Sequence, residues 1–355
     1  MTLPEGSQMI QFLGPDGQFL GPNRANLDCA ELLDALRWML LCRQYDKRAT
    51  QLQRQGRWGV HSPATGQEAS VIGSAMAIDP KRDWIVPQYR EGIALVHHGY
   101  PLPALCAGQM GKPASAKIPE GVKCLPNQTS LAAQLPHAVG LAWGLALQSQ
   151  ESVVLTYLGE GASSEGDFHE SLNLAGLLKA PVVFFLQNNQ WAISTPRNRQ
   201  SRVTHFADRA IGYGIAGSLV DGNDVVAVHH VVTDAVSRAR QGDGPTLIEA
   251  VTYRLGFHNT SDDPHHYRED AEFRAAEQLD PISRLERYVQ SIGCLDRTQL
   301  DAMLSGVVDE VEVALSEAEA MPATSPLSNF DNAYASPPPR VLRQRRQLED
   351  EIQGG

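Results

Sequence analysis

Two short polar segments, about 30 residues apart, carry side chains that could bind a diphosphate through a metal ion. In the first segment Glu160 lies between Gly159 and Gly161, and in the second Asn189 is followed closely by Trp191. Mg²⁺ prefers hard oxygen ligands, and these segments offer a carboxylate, an amide oxygen and, at Trp191, a main-chain carbonyl. Glycine lets backbone N–H groups approach phosphate, and a following helix N-terminus favours the same negative charge. The pattern therefore predicts a magnesium-bound diphosphate site.

The chain between these segments predicts one strand–helix–strand unit. Apolar runs at 153–158 and 181–186 are typical of buried strands, and apolar residues recur at helical spacing over 164–179. A crossover helix of this kind makes the two strands parallel. Their carboxyl ends then lie at the same edge of the sheet, where ligands bind in such folds.

Two common nucleotide-binding motifs do not account for these segments. The dinucleotide pattern is incomplete because Ser164 stands where its third glycine would fall, and the sequence has no P-loop motif. A tight turn with a solvated glutamate would explain the first segment by itself. The paired asparagines after the next strand favour the cofactor-site interpretation.

Seven motifs in this order resemble a known enzyme family. The two polar segments look like the thiamine diphosphate fingerprint, and their surroundings resemble the alpha subunit of the decarboxylating first component of 2-oxo acid dehydrogenase complexes. The similarity extends from about Leu27 to about Leu285. The motifs are TGQEA (65–69), PQYRE (87–91), SLAAQLPHAVG (130–140), GEGASSEGD (159–167), NNQWAIST (188–195), VDGND (220–224) and YRLGFHNTSDDPHHYR (253–268).

The resemblance implies an α/β fold that binds thiamine diphosphate and Mg²⁺, with a largely parallel sheet flanked by helices and a helical C-terminal region. It implies oxidative decarboxylation of a 2-oxo acid, followed by reductive acyl transfer to a lipoyl group. GEG in place of GDG, and TSDD after His258, look most like the branched-chain (2-oxoisovalerate) enzymes. Pyruvate and acetoin are alternative substrates, and a non-catalytic scaffold or regulatory subunit is the alternative of another class.

The resemblance also assigns roles to individual residues. His258 would transfer protons beside the cofactor, because the unperturbed pKa of imidazole is near ~6.5. Arg90 would bind two diphosphate oxygens in one plane. Leu131 would hold the cofactor in its bent form. Ordinary structural roles remain open for these residues: a hydrogen-bonding histidine, a surface arginine paired with Glu91 and a core leucine. The implied cofactor-binding residues are Tyr89, Arg90, Thr129, Leu131, Gly159, Glu160, Gly161, Ala162, Gln187, Asn189 and His258, with Gln88 and Tyr89 on the substrate side.

No residue of this sequence matches the glutamate that activates the aminopyrimidine ring of the cofactor in the family. The resemblance implies that a separate beta subunit supplies it, in an assembly of two alpha and two beta chains. A dihydrolipoamide acyltransferase that carries the lipoyl group is the further partner. The helix surface at 138–147, where Gly140 and Gly144 permit close approach, is a candidate interface, although burial within this chain is an equal interpretation.

Composition agrees with a globular α/β protein. A chain of 355 residues, of which 42% are hydrophobic and 20% charged, can bury a large core. Its net charge of −11 argues against a general nucleic-acid-binding surface. No apolar run approaches the roughly 18 residues needed to span a bilayer, so we expect no membrane partner.

The sequence predicts an extended N-terminal arm over 1–25, an α/β domain over 26–320 and a C-terminal tail over 321–355. Asp28 and Glu31 form a capping-box pattern that begins a long helix. Pro136 is expected to bend or interrupt a later helix. The predicted helices cover 28–55, 65–78, 132–147 and 225–240, a strand covers 245–253, and the pattern is helical from 280 to 320.

The cysteines and the N-terminal residues indicate the cellular compartment of the protein. The five cysteines are an odd number without a C-x-x-C pair, which predicts reduced and mainly buried thiols. Residues 1–25 contain one arginine, two acidic residues and no apolar run of the kind found in signal peptides. A bacterial-type cytoplasm is the expected location. The cysteines are Cys29, Cys42, Cys106, Cys124 and Cys294.

Overall fold

The computed structural model describes residues 9–21, 27–331 and 333–354. Its strands are β1 (Trp84–Val86), β2 (Val154–Gly159), β3 (Val182–Asn188), β4 (Trp191–Ala192), β5 (Thr195–Pro196), β6 (Ala216–Asp221) and β7 (Thr246–Val251). Five of them form a central sheet in the order β1-β2-β3-β7-β6, and every neighbouring pair is parallel. The other two, β4 and β5, form a short antiparallel hairpin after β3.

Helices cover both faces of the sheet. They are α1 (Cys29–Arg54), α2 (Glu68–Met76), α3 (Gly92–His97), α4 (Leu102–Gln109), α5 (Gln134–Leu147), α6 (Gly166–Leu178), α7 (Val225–Arg240), α8 (Asp270–Glu277), α9 (Pro281–Ser291), α10 (Arg297–Ala320), α11 (Ser328–Asp331) and α12 (Pro339–Gly354). Within the described ranges, no helix combines the length and the apolarity needed to cross a membrane.

Alternate side chains of the central strands enter two apolar cores, one on each face of the sheet. Leu155 and Tyr157 of β2 belong to the core that α1, α2 and α7 share. Val154 and Leu158 belong to the core that α5 and α6 cover. The predicted α/β fold, with a largely parallel sheet flanked by helices, is confirmed.

The strand–helix–strand unit is confirmed. The crossover helix α6 connects β2 to β3, which pair in parallel, with Gly159 opposite Gln187. Lys179 ends the helix in a left-handed conformation with φ 49°. The strands extend slightly further than predicted, so that Gly159 and Asn188 are their last residues. Glu160 and Asn189 therefore lie directly beyond two neighbouring strand ends.

The capping-box prediction is confirmed at the start of α1. The Glu31 N–H donates to Asp28 at 2.9 Å, and the Asp28 N–H donates to Glu31 at 2.8 Å. The prediction for α7 is also confirmed, with Asp224 as its N-cap. The prediction that Pro136 bends or interrupts a helix is wrong. Because α5 begins at Gln134, Pro136 lies in its first turn, where the missing N–H has no intrahelical partner to lose.

The helical prediction for 280–320 is confirmed with one break, at a turn in which Gly293 has φ +75°. The C-terminal region also contains α11 and α12, which the sequence did not predict. The prolines at 337–339 indicated only a break, but Pro339 is the first residue of α12, a position that tolerates proline.

The described part of the N-terminal arm lies beside the sheet. Ile10 pairs in parallel with Val220 of β6, and the Phe12 N–H donates to Asp224 at 2.6 Å. The rest of the predicted arm falls on residues that the structure does not describe.

The prediction that all cysteines are reduced is wrong for one pair. Cys29 and Cys294 form a disulfide, with their Cα atoms 5.6 Å apart. Their separation of 265 residues gave no sequence signal, and the fold brings the first residue of α1 to the turn before α10. Cys42, Cys106 and Cys124 are buried free thiols, as predicted.

Candidate active site

A cavity of about 550 Å³ lies at the carboxyl ends of the neighbouring strands β1, β2 and β3. It brings together every residue to which the sequence gave a cofactor, substrate or metal role. These residues are Gln88, Tyr89, Arg90, Thr129, Leu131, Gly159, Glu160, Gly161, Ala162, Gln187, Asn189, Trp191 and His258. Their common location follows from parallel strands that end at one edge of the sheet.

The strand-end wall of this cavity consists of Gly159, Glu160, Gly161, Gln187 and Asn189. Apart from its two chain neighbours, no atom of the described residues lies within 4 Å of a Cβ added at Gly159, so the space beside this residue is open to a ligand. At Gly161 an added Cβ would lie 2.7 Å from the Cβ of Ala192, and a larger residue would push the hairpin away. Gly159 therefore leaves space for a ligand, whereas Gly161 allows close packing against the hairpin.

Hydrogen bonds connect Glu160 and Asn189 of the strand-end wall with the neighbouring Trp191. The Asn189 N–H donates to Glu160 Oε2 at 3.3 Å, and the Trp191 N–H donates to Asn189 Oδ1 at 3.2 Å. Burial raises the pKa of the Glu160 carboxyl. The Trp191 carbonyl accepts a hydrogen bond from Arg254 at 3.0 Å. Within the described residues, no cluster of three or more His, Cys, Asp or Glu side chains could hold a metal ion.

Three glutamine side chains, that of Gln187 in this wall and two beside it, leave polar atoms unpaired. The amide nitrogens of Gln67 and Gln88 and the amide oxygen of Gln187 are buried and have no partner in the described part of the chain. The Gln187 nitrogen donates to Glu91 at 2.6 Å. A buried polar group without a partner costs roughly 1–3 kcal/mol, so these atoms favour a ligand that hydrogen-bonds to them. Their chemistry suits a polar, oxygen-rich ligand.

The loop wall of the cavity consists of Val60, His61, Tyr89, Arg90 and His258. Arg90 is almost fully buried and donates to the Pro63 carbonyl and, at 2.9 Å, to the His258 carbonyl. Its guanidinium carbon lies 5.4 Å from the centre of the Tyr89 ring, which in turn meets the His258 ring edge-on. This burial excludes the alternative that Arg90 is an ordinary surface arginine.

His258 is surrounded by positive charge. Its Nδ1 lies 3.1 Å from an Arg90 nitrogen and 3.3 Å from an Arg254 nitrogen. Burial, and then the charges of Arg90 and Arg254, lower the pKa of His258 to about 4, against a smaller opposing effect of Asp262. Because guanidinium groups can only donate, Nδ1 accepts these hydrogen bonds. The neutral ring therefore carries its proton on Nε2.

The structure excludes the alternative that Leu131 is an ordinary core leucine. It is 41% exposed and lines the cavity with two other exposed aliphatic side chains, Val60 at 60% and Ile193 at 54%. Thr129 is also exposed at the cavity. The cavity therefore combines a polar strand-end wall with apolar side chains that are open to a ligand.

Sequence reasoning missed several residues of this cavity. His61 and Asp46 line it as a hydrogen-bonded pair, at 2.9 Å, and Glu91 lies buried beside Gln187. Asp46 lies inside the predicted helix α1, and His61 lies in a loop outside the quoted motifs, so neither residue carried a recognisable signal. Gln67 was part of a quoted motif, but no role was assigned to it.

Comparisons with known proteins agree with this geometry. Residues 36–327 match the model of a family described as the dehydrogenase E1 component. The chain is 41% identical to the 3-methyl-2-oxobutanoate dehydrogenase subunit alpha of Mycobacterium tuberculosis, over 99% of this chain and 96% of that protein. It is 36% identical to the pyruvate dehydrogenase E1 component subunit alpha of Staphylococcus epidermidis, over 95% of this chain and 91% of that protein. The corresponding Staphylococcus aureus protein is 35% identical over the same shares.

Proposed function

Because this chain belongs to the dehydrogenase E1 component family, which depends on thiamine diphosphate, we propose that it is the alpha subunit of a branched-chain 2-oxo acid dehydrogenase. The family predicted from the motifs is confirmed. The observation that carries the choice of substrate is the 41% identity to a 3-methyl-2-oxobutanoate enzyme, against 36% to a pyruvate enzyme. Pyruvate is the second candidate, since that identity also covers nearly the whole chain.

The cavity suits thiamine diphosphate. The unpaired amide nitrogen of Gln67 could donate to phosphate oxygens and that of Gln88 to the substrate, beside Tyr89, and the open space at Gly159 would let the backbone come close to the diphosphate. Arg90 would add a guanidinium and Leu131 an apolar support. When bound, the cofactor supplies the nucleophile and the electron sink that decarboxylation needs.

Mg²⁺ is part of the proposal. Glu160, Asn189 and the Trp191 carbonyl would supply three protein oxygens, and diphosphate and water would complete the six ligands that the ion prefers. Hydrogen bonds already link Glu160 to the backbone of Asn189, and the Asn189 side chain to the backbone of Trp191. A single carboxylate is sufficient here because magnesium is often held by one or two carboxylates together with substrate phosphates.

His258 would move a proton through Nε2. Its Nδ1 accepts from guanidinium groups, whereas Nε2 has no hydrogen-bond partner among the described residues. The backbone of His258 is held as well, because the His258 main-chain N–H donates to the Asp262 carboxylate at 2.7 Å. We assign this nitrogen to acyl transfer onto the lipoyl group, a step in which a sulfur atom must gain a proton.

A beta subunit and a lipoyl-bearing dihydrolipoamide acyltransferase are the proposed partners. Several large apolar side chains of α5 and α6 are exposed: Trp143, Leu147, Leu174 and Leu177, of which Leu177 is 77% exposed. Gly140 precedes Trp143 on α5, and outside the backbone of that helix no atom of the described residues lies within 4 Å of its Cβ position. Exposed apolar surface of this kind favours an interface with another chain, which we assign to the beta subunit.

We also propose that the protein works in a bacterial cytoplasm. Disulfides are rare in that compartment, where thiols are kept reduced, and Cys29 is exposed to reductant. In that compartment the Cys29–Cys294 disulfide of the structure would be exposed to reduction. Trapping cells with an alkylating agent and mapping both residues by mass spectrometry checks this, and a stoichiometric disulfide would contradict the proposed location.

Reconstitution tests the function. The chain alone, with thiamine diphosphate, Mg²⁺ and 2-oxo acid, should show no turnover, and addition of the beta subunit should restore it. Among 2-oxoisovalerate, pyruvate and acetoin, the first should have the highest kcat/KM. A preference for pyruvate would select the second candidate. Absence of cofactor binding by calorimetry, with the beta subunit present, would instead favour a non-catalytic subunit.

A further inference from the structure

The loop wall contains a second histidine that is held as firmly as His258. His61 Nε2 lies 2.9 Å from Asp46 Oδ1, and the Thr65 hydroxyl donates to Asp46 Oδ2 at 3.0 Å. The rings of Tyr45 and Trp58 meet the imidazole edge-on, with centroid distances of 5.6 and 6.5 Å. The ring therefore has a fixed orientation.

The pairing with Asp46 decides which ring nitrogen remains available. A carboxylate can only accept, so the proton of this contact belongs to His61 Nε2. Nδ1 has no hydrogen-bond partner among the described residues, and the residue lines the cavity. A carboxylate on one nitrogen of a histidine, with the other nitrogen free in a ligand cavity, is an arrangement that enzymes use to orient an imidazole toward its reactant.

The backbone of His61 is also tied to the loop that carries His258. The His61 N–H donates to the Thr260 hydroxyl at 3.2 Å, and the Thr260 N–H donates to the His61 carbonyl at 2.9 Å. The two histidines of the loop wall therefore belong to one connected frame. A ligand that reaches His258 lies within the same cavity as His61.

We propose that His61, held by Asp46, binds the carboxylate of the 2-oxo acid through Nδ1. This inference rests on the proposed function. The strand-end wall offers its groups to diphosphate and metal, and His258 is assigned to proton transfer, so His61 is the remaining charged-type side chain of the loop wall that can bind the substrate carboxylate, beside Gln88 and Tyr89 on the substrate side. The ring protonated on both nitrogens can donate from Nδ1 while Asp46 balances its charge. The neighbouring exposed Val60 suits the aliphatic chain of a branched 2-oxo acid.

The test uses the enzyme assembled with its beta subunit and loaded with thiamine diphosphate and Mg²⁺. His61→Gln and Asp46→Asn are compared with the wild type in ferricyanide-coupled decarboxylation of 2-oxoisovalerate. The inhibition constant of 2-hydroxyisovalerate, which keeps the carboxylate but lacks the reactive carbonyl, is measured in parallel. Cofactor affinity is measured by calorimetry as a separate readout.

We expect His61→Gln to raise both the KM and the inhibition constant roughly 10-fold or more, the effect of one lost hydrogen bond to a charged group. Asp46→Asn should change both constants in the same direction, while kcat and cofactor affinity stay close to the wild type. His98→Gln is the matched control. His98 is also buried and bonded, to the Asp83 carbonyl at 3.0 Å, but it does not line the cavity.

Unchanged KM and inhibition constants in both variants, alongside wild-type turnover, would overturn the assignment of His61 and leave the proposed function intact. If His61→Gln does not assemble, Asp46→Asn decides in the same way. A wild-type enzyme that decarboxylates no 2-oxo acid would defeat the proposed function and this inference together. An equal rise of KM in His98→Gln would also overturn the assignment, because a general loss of packing would then explain the result.

Discussion

The strand-end wall and the loop wall of the cavity differ in how the chain positions their polar groups. The strand-end wall takes its residues from two short segments that directly follow neighbouring strands, and sheet pairing fixes their separation. The loop wall combines His61, Arg90 and His258 from three separate loops, which hydrogen bonds hold together. The first wall therefore presents oxygen and N–H groups in a rigid frame, whereas the second presents imidazoles whose neighbours decide which ring nitrogen is engaged.

The two histidines of the loop wall illustrate this dependence. His258 faces two guanidinium groups and uses Nδ1 to accept from them. His61 faces a carboxylate and uses Nε2 to donate to it. Neighbours of opposite charge thus leave different ring nitrogens for the ligand, Nε2 in His258 and Nδ1 in His61. Histidine can therefore serve two tasks in one cavity.

The largest expected effect comes from the strand-end wall. Glu160→Ala removes the one carboxylate of the proposed magnesium site. Mutation of a residue that only hydrogen-bonds to a metal ligand already lowers metal affinity by roughly 10–100-fold. We expect a loss of roughly 100-fold or more in cofactor affinity in magnesium buffer, with turnover abolished. Calorimetric titration with thiamine diphosphate measures this loss.

Glu165→Ala is the matched control for that variant. Glu165 is an exposed carboxylate five residues further along, and its side chain makes no capping hydrogen bond at α6. It should bind cofactor like the wild type. Wild-type cofactor affinity in Glu160→Ala would show that the strand-end wall does not hold the metal.

The contrast between the walls also explains what the sequence could reveal. Glu160 and Asn189 stand at strand ends within contiguous motifs, so alternation of strands and helix was enough to bring them together. Asp46 and His61 are joined by side-chain packing between a helix and a loop, which no periodic pattern encodes. The Cys29–Cys294 bond was missed for the same reason. Pro136 was misjudged because its effect depends on where the helix begins, and helix ends are poorly fixed by sequence.

The next largest effect should come from His258→Ala. General acid–base catalysis contributes roughly 10²–10⁴-fold, and we assign this contribution to acyl transfer rather than to decarboxylation. Lipoamide-coupled turnover should therefore fall by that amount, while ferricyanide-coupled decarboxylation should fall much less. Comparison of the two assays on one preparation provides the measurement. Equal losses in both assays would assign His258 to a step that they share.

A smaller effect concerns the charge of His258 itself. In the cofactor-free protein its pKa is lowered from 6.5 to about 4, so the ring is neutral at pH 7. As pH falls from 6.5 towards 4, the unfolded chain takes up this proton before the folded chain does, and stability decreases. A bound diphosphate would oppose the charge of Arg90 and favour the imidazolium. Thiamine diphosphate with Mg²⁺ should therefore raise the pKa of His258.

NMR titration of the His258 ring, with and without cofactor, checks this direction. The His258→Ala variant identifies the signal. An apparent pKa that stays unchanged when cofactor binds would mean that the diphosphate does not reach the guanidinium groups of the loop wall. The strand-end wall would then act independently of the loop wall.

The smallest effect is expected from Asp262→Asn. Asp262 is the negative group that raises the pKa of His258, and it opposes burial, Arg90 and Arg254. Its removal should lower the pKa of His258 further without changing cofactor affinity, because the carboxylate does not line the cavity. Asp263→Asn is the matched control, since that neighbouring carboxylate caps the turn at His265 instead. A pKa of His258 that rises in Asp262→Asn would mean that the hydrogen bond from the His258 N–H to Asp262 positions the ring against the guanidinium groups. The position of the His258 ring would then affect its pKa more strongly than the charge of Asp262 does.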